Sequence, residues 1–569
     1  MRIRDLIQAA RGERKADLLL VNARVVNVFS GRIIPANIAI CQGHVAGFGD
    51  YAADAIIDLN GRYVCPGFID AHVHIESAMT SVTEFSRAVA CRGTTAAVAD
   101  PHEIANVLGK AGIEYMIDSS RGQPANLFFT LPSCVPATDM ETAGAALLAG
   151  DLCELMGHER VVALAEMMNF PGVIFQVPEV LSKIKLARSH RKPVDGHSPR
   201  LSGKDLSAYL SAGIFSDHEC TGLEEAREKL ESGMHIMIRE GTGARNLETL
   251  LPLVSGKTAH RMMWCTDDRH PHDLIEKGHI DSMIRQAVRL GLDPVIAIQM
   301  GTLHPARYFD LPRTGAVAPG YRADLVVFSD LNKIQAERVF FEGKPIAENG
   351  EMLSGVNRPS AVFVPGSMHV SDQMDFSIPA PAGPVRVIEL VPDQVLTRQC
   401  VETPRVENNR IITDTQRDLL KLAVVERHRG SGNIGKALVR GFGLKHGALA
   451  SSVAHDSHNI IVVGVDDADM KAAVNAVVLM KGGLAAACDG KVIESLALPI
   501  AGLMSDEPIE EVRNRLDALL SAARVLGAKP SDPFMMLSFL ALPVIPELKL
   551  TDKGLVDVNA FRIVPLTAP

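Results

Sequence analysis

A chain of 569 residues exceeds one ordinary core, and at about 150 residues per domain it predicts two to four units. Its 47% hydrophobic and 22% charged residues make it globular, while 58 Lys and Arg against 67 Asp and Glu leave a net charge of -9, without the basic stripe that a nucleic-acid partner requires. Nine cysteines, scattered and without a CxxC pair, form neither a disulfide framework nor a thiolate zinc site, and they point to a reducing compartment.

The N-terminal MRIRDLIQAARGERKAD is basic but carries Asp5 and Glu13, and no apolar h-region follows it, so it does not read as a secretion signal. Apolar runs such as LLLVNARVVNVF and NIIVVGV fall well short of the roughly 20 residues a membrane span needs. The expectation is a cytoplasmic protein with neither a membrane nor a nucleic-acid partner.

Residues 1–64 hold an N-terminal extension and then short alternating strands and turns. A second segment of this texture, TGAVAPGYRADLVVFSDLNKIQAERVFFEGKPIAENG, falls within residues 311–385. Each contains an Ala-Asp-Leu step into an apolar run, Ala16-Asp17-Leu18 and Ala323-Asp324-Leu325. The sharper reading makes them halves of one small β-sandwich-like domain flanking an insert; the plainer one makes them unrelated hairpins.

Between them, residues 65–310 alternate strand-like and helix-like stretches. Eight strand-like runs, GFIDAHVHI, TTAAVAD, NLFFTLP, VVALAEMM, PVDGHS, GIFSDHE, HIMIREG and MMWCTDD, predict a (β/α)8 TIM-like barrel. Most end in polar or ionisable residues, which such a barrel gathers at its active, C-terminal face. Beyond the linker SIPAPAGPVR, residues 386–569 alternate KLAVVERH, NIIVVGV and KVIESLALPI with helix-like DADMKAAVNAVVLMKG and PIEEVRNRLDALLSAARVLG, a further α/β or α+β domain. Gly430, Gly432 and Gly435 in GSGNIG satisfy GxGxxG, but they lie outside any βαβαβ half and read as a glycine turn opening a helix.

His72 and His74 stand two apart at the end of the first run, so both imidazoles face one way and begin a divalent metal site. An HxH alone is weak, because histidines are common on surfaces and in cores. The weight comes from Glu166, His197, His218 and Asp267 at the ends of runs four, five, six and eight. Ionisable residues rarely end buried strands without partners. Asp268 is the alternative to Asp267, since strand alternation turns only one of them to the metals. In the tail, His455, Asp456 and His458 share one turn, either hydrogen-bonded within itself or part of an active-site rim.

GFIDAHVHIES, the CTDD of run eight and the split β-domain resemble the amidohydrolase superfamily, in which an HxH, a strand-four ligand, two further histidines and an Asp hold one or two metals. VADPHEIANVLG, HVHIESAM, EMMNFPGV, VDGHSP and SDHE, with GSGNIGKALVRGFGL and SVAHDSHNIIVVG in the tail, are similar to the bacterial adenine deaminases over nearly the whole chain. The resemblance implies two divalent ions, Mn2+ or Fe2+ with Zn2+ also suited, on His72, His74, Glu166, His197, His218 and Asp267. Glu166 stands where many binuclear relatives carry a carboxylated lysine, and its two oxygens can bridge two cations.

The implied reaction converts adenine and water to hypoxanthine and ammonia in a homo-oligomer, a dimer or larger. Activated hydroxide would add to C6, and Asp267 would take its proton and pass it to the leaving amine, with His218 as ligand, electrophile or both. Mononuclear adenosine and cytosine deaminases carry a Glu shortly after the strand-five His, whereas His197 is followed by SPRLSG. The donor to the purine ring must come from elsewhere; Glu103 and His102 lead, with Glu219 and Glu240 behind them. His102, Glu103, Asn106 and Glu219 are the expected substrate contacts. Two alternatives stand beside this reading: a cyclic-amide or N-acyl hydrolase on the same barrel, and a non-catalytic scaffold, which should have lost ligands that this chain keeps.

Overall fold

In the computed structural model, which describes residues 3–356, 358–391 and 394–568, the two flanking β segments are one sheet. Leu325–Phe328 pairs antiparallel with Tyr63–Pro66, setting Leu325 against Pro66 and Phe328 against Tyr63. The chain therefore leaves this sheet at Pro66, builds the insert and returns to the neighbouring position. Leu18, Leu20, Val25, Ile38 and Ile40 from the first half and Leu325, Val327 and Phe340 from the second bury in a single cluster. Neither half covers its own apolar face, which is the physical reason that segments so far apart in sequence fold together.

The insert is a ring of parallel strands: β1 (Phe68–His74), β2 (Thr94–Ala99), β3 (Asn126–Leu131), β4 (Val161–Met167), β5 (Val194–Gly196), β6 (Ser216–Asp217), β7 (His235–Arg239) and β8 (Met262–Cys265, resuming at Asp267–Asp268). Pairing runs without interruption from β1 to β5. A parallel bridge between Val194 and Ile214 joins β5 to the approach to β6. Pairs then continue from β6 to β8, and Asp267 and Asp268 pair with Val73 and His74 to close the barrel. All eight strands fall on the runs expected from the sequence.

Ile69, Ala71, Ala96, Val98, Ala163, Met237 and Cys265 fill the barrel interior. Phe68, Val73, Phe129 and Trp264 point outward into the layer shared with the helices. Strict alternation after Ala71 would turn His72 outward. The register shifts by one residue between Asp70 and Val73, where three steps on β1 meet two on β2. A bulge of this kind re-aims the side chains beyond it, so Ala71 and His72 both face in, Val73 faces out and His74 faces in.

The C-terminal region carries an eight-stranded sheet, antiparallel except where Val385–Leu390 lies parallel to Ile434–Arg440. Alternate residues of its strands face opposite helices. Leu422, Val424, Ile461 and Val463 pack with Val512, Leu516 and Leu519 of helix Ile509–Val525. Ala423, Val425, Ile460 and Val462 pack with Met470, Ala473 and Val477 of helix Asp467–Leu479. The glycine run does not open a helix. It is the turn between antiparallel strands Leu420–Val425 and Ile434–Arg440, where the Glu426 carboxylate accepts the backbone N–H groups of Arg429 and Ser431. At Gly435 a Cβ would lie 1.8 Å from the Thr551 carbonyl, so that backbone contact requires glycine.

This region is docked on the barrel. The Thr142 amide and hydroxyl donate to the Asp552 carboxylate at 2.8 and 2.7 Å, and the Asn459 amide donates to the Thr142 carbonyl at 2.8 Å. Near the mouth, Ser505 N–H donates to the Met79 carbonyl at 2.9 Å.

Candidate metal centre

The bulged end of β1 delivers two imidazoles whose tautomers are set by their outer nitrogens. His72 Nδ1 lies 3.1 Å from the Asp195 carboxylate, and His74 Nδ1 lies 3.0 Å from the Asp100 carbonyl. Both partners are acceptors, so each Nδ1 carries the hydrogen and each Nε2 presents a lone pair. Those two Nε2 atoms face each other at 3.2 Å. Two lone pairs repel at that distance unless a proton or a metal ion lies between them, and Asp267 Oδ1, at 3.1 Å from His74 Nε2 and 3.6 Å from His72 Nε2, completes a group of the kind divalent ions prefer.

A second group shares Glu166 with the first. Glu166 Oε1 lies 3.4 Å from His74 Nε2, while Oε2 lies 2.5 Å from His197 Nδ1 and 3.1 Å from His218 Nε2. The six expected residues thus converge in two adjacent triads, His72, His74 and Asp267 beside Glu166, His197 and His218, linked by the approach of Glu166 to His74. The set suits hard or borderline divalent ions through imidazole and carboxylate donors. His218 stacks on His72 with ring centroids 4.2 Å apart, and its buried Nδ1 has no partner among the described residues.

The electrostatics agree with a cation-binding centre. Burial opposes charge on Glu166, yet His197, His218 and His74 outweigh it and hold the carboxyl well below its ordinary range. Burial likewise opposes protonation of His72, but Asp195, Asp267 and Glu166 outweigh it and hold the ring up at about 10. Converging carboxylates require positive charge here, as protons on the imidazoles or as metal ions in their place.

Asp267 sits at a break in β8 with φ of 56°, a left-handed conformation that Asp adopts more readily than most non-glycine residues. Thr266 beside it is held by Asp70 of β1, its N–H donating to Oδ1 at 3.2 Å and its hydroxyl to Oδ2 at 2.5 Å. Arg239 at the end of β7 donates to Asp267 Oδ2 at 2.7 Å and to both oxygens of Glu219. Asp268 instead accepts the Ser77 hydroxyl and lines a cavity. The two acids therefore face different surroundings, Asp267 the histidines and Asp268 the cavity.

The turn after β2 makes contacts both toward the centre and toward the C-terminal region, and the buried Asn106 Oδ1 has no hydrogen-bond partner among the described residues. Asn106 is fully buried, its Nδ2 donating to the His102 carbonyl at 3.0 Å within the helix His102–Leu108. His102 Nδ1 points toward the centre, 3.4 Å from Asp100 Oδ1 and 3.5 Å from Glu166 Oε1. Glu103 is engaged by the C-terminal region, with His455 Nδ1 2.7 Å from Oε1 and His458 Nε2 in a short contact with Oε2. Glu219 lies beside His218 Nε2 at 3.7 Å and is claimed by Arg239, while Glu240 accepts the Leu247 N–H at 3.3 Å, away from the centre.

Asp195, Asp100, Arg239 and Glu76 were not singled out from the sequence. The first two lie inside quoted motifs, VDGHSP and VADPHE, where an acid close to a ligand histidine is a readable signal. Glu76 follows the HxH; its Oε1 accepts the Ile104 N–H at 3.2 Å, and burial pushes its carboxyl up to about 7. A small cavity lies beside it, between Glu76, Ser77 and Asp268 of the barrel and His455, Phe534 and Ser538 of the C-terminal region.

Fold and ligand set together define a hydrolase of the metal-using amidohydrolase class, and residues 63–348 match the Amidohydrolase family. Residues 394–562 match the adenine deaminase C-terminal domain. An adenine deaminase of Desulfatibacillum aliphaticivorans is 56% identical over 99% of this chain and 99% of its own length. One of Methanothrix thermoacetophila is 51% identical over the full length of both chains. Among solved structures, a dihydropyrimidinase from Brevibacillus agri NCHU1002 is similar at 16% identity and a TM-score of 0.48, over 59% of this chain and 96% of that one. This chain belongs to the adenine deaminase family of amidohydrolases.

Proposed function

We propose that the protein hydrolyses adenine to hypoxanthine and ammonia, with two divalent ions, Mn2+ or Fe2+, held by His72, His74, Glu166, His197, His218 and Asp267. One observation carries the binuclear reading: the two oxygens of Glu166 address separate imidazole groups, as a bridging carboxylate must. Metal ions at such a site acidify bound water enough to supply hydroxide near neutral pH. Family membership at 56% identity over nearly the whole chain supports adenine as the substrate.

The protein's own groups account for the remaining steps. Arg239 ties up Asp267 Oδ2 and leaves Oδ1 facing the histidines, placed to take a proton from the attacking water and return it to the departing amine. As the C6–O bond forms, the C6–N1 π pair moves onto N1, which takes up one proton of the attacking water; the other, carried by Asp267 to the amine, lets the C6–N bond break, so that ammonia leaves and the ring is restored as hypoxanthine. The chain has no helix, among its described residues, long and apolar enough to cross a membrane. A cytoplasmic homo-oligomer, dimer or larger, completes this reading.

Ammonia release from adenine, adenosine, guanine and cytosine by manganese-loaded protein tests it. Adenine is expected to exceed adenosine by several orders of magnitude in kcat/KM, because a ribose has to enter a cavity closed by the C-terminal region and leaves polar groups unpaired there. Comparable rates on adenosine overturn the closed-cavity argument. Activity on a cyclic amide and on no purine selects the alternative hydrolase, and full activity with one metal equivalent added to apoprotein rejects the binuclear centre.

A further inference from the structure

Glu103 ends a chain of contacts that begins far away in sequence. The C-terminal turn after strand Ala448–Ser451 places His455 and His458 on its two carboxylate oxygens. For His458 the tautomer is settled: Nδ1 accepts the Ala454 backbone N–H at 3.1 Å, so Nε2 carries the hydrogen and donates it to Glu103. This arrangement removes Nε2 of His458 as a metal donor and makes the ring a fixed brace.

His455 is the opposite case. Its Nδ1 meets Glu103 Oε1 at 2.7 Å, its ring stacks on Phe539 with centroids 4.8 Å apart and planes 22° from parallel, and Nε2 has no hydrogen-bond partner among the described residues. The ring lines the cavity beside the metal centre. A carboxylate on one imidazole nitrogen and an aromatic platform under the ring fix where the other nitrogen points. Both Glu103 oxygens are engaged by imidazoles and Glu103 does not line the cavity, so whatever it contributes there passes through His455.

We propose that His455 is a substrate-contacting residue of the barrel's active site, with Nε2 bonded to a ring nitrogen of the bound purine and Glu103 as its positioning residue. The purine identity rests on the adenine reading above; the geometry of the dyad does not. The barrel alone thus lacks one wall of its substrate site, and the C-terminal region supplies a polar contact there as well as covering it.

The test compares H455A, H455Q, E103Q and the double variant E103Q/H455A as full-length, manganese-loaded protein, scoring adenine kinetics, equilibrium adenine binding, metal content and Tm. H455A is expected to keep wild-type metal content and to lose about 10- to 100-fold in kcat/KM, mainly through KM, as loss of one buried hydrogen bond to substrate predicts. H455Q restores part of that loss, because its amide reaches the Nε2 position. E103Q acts through the same contact, so the double variant is no worse than H455A alone. Wild-type metal content and Tm with kcat/KM within about twofold of wild type in H455A overturns the proposal; so does full additivity in the double variant. Should H455A fail to fold, H455Q and E103Q carry the same comparison. If the wild-type protein binds adenine without releasing ammonia, the adenine deamination reading fails by itself, and undiminished adenine binding in H455A then overturns the contact separately.

Discussion

Glu166 and Asp267 are both buried carboxylates among histidines, yet their neighbours assign them different work. Glu166 is shared between two imidazole groups, and E166Q exchanges half of that donor for an amide nitrogen and removes the bridging charge. The expected result is loss of metal, measured by elemental analysis after desalting. Asp267 has one oxygen held by Arg239 and the other turned to the histidines. D267N preserves shape but not basicity, so it is expected to retain at least one ion while turnover falls by about 10²-fold or more. Near-normal turnover in D267N would transfer the proton-carrying role to Asp268, which lies against the cavity.

At the scale of elements, the weakest strand has the strongest side-chain support. β6 spans only Ser216–Asp217, too short for its ladder to hold His218 in place. Asp217 compensates: its carboxylate accepts the backbone N–H groups of Ser198 and Glu219 at 3.2 and 3.1 Å. Fully buried Lys229 donates to it at 2.5 Å and to the Ser198 carbonyl at 2.6 Å. Burial works against the Asp217 charge, but Lys229 and His218 outweigh it and draw the carboxyl down to about 2. K229M strands that carboxylate without its cation and is expected to cost about 3–5 kcal/mol, read as a fall in urea midpoint. A midpoint unchanged from wild type would mean that the ladder alone supports β6.

For the whole molecule, the candidate metal centre joins the ends of β1, β4, β5, β6 and β8, and its carboxylates are compatible only with something positive among them. Ions that bind the folded chain and not the unfolded one stabilise it by mass action, about 3–4 kcal/mol at free metal 100 to 1,000 times Kd. Chelation is therefore expected to lower Tm by several degrees, and manganese to restore it, in wild type but much less in E166Q. Equal chelator effects in both would place the stabilising ions elsewhere. The Thr142–Asp552 and Ser505–Met79 contacts tie the C-terminal region to the barrel mouth, so the same loss should loosen the site's cover.

The sequence by itself determined what local periodicity and residue chemistry can carry. Eight apolar runs with ionisable ends specified the barrel, and the six candidate ligand residues stood out because each lies at or just beyond the end of such a run. The sheet completed by Leu325–Phe328 was hinted at by a repeated Ala-Asp-Leu step, but only the pairing with Tyr63–Pro66 decided it. Tertiary structure alone decided which partners saturate which atoms. The bulge that turns His72 inward depends on register between strands. Arg239 meets Asp267 across neighbouring strand ends, and His455 meets Glu103 across 352 residues of chain. Hydrogen bonding across the fold is a property of atoms brought together by folding, so sequence alone could not show that two imidazoles of the C-terminal region engage Glu103 while His455 keeps one nitrogen without a hydrogen-bond partner among the described residues.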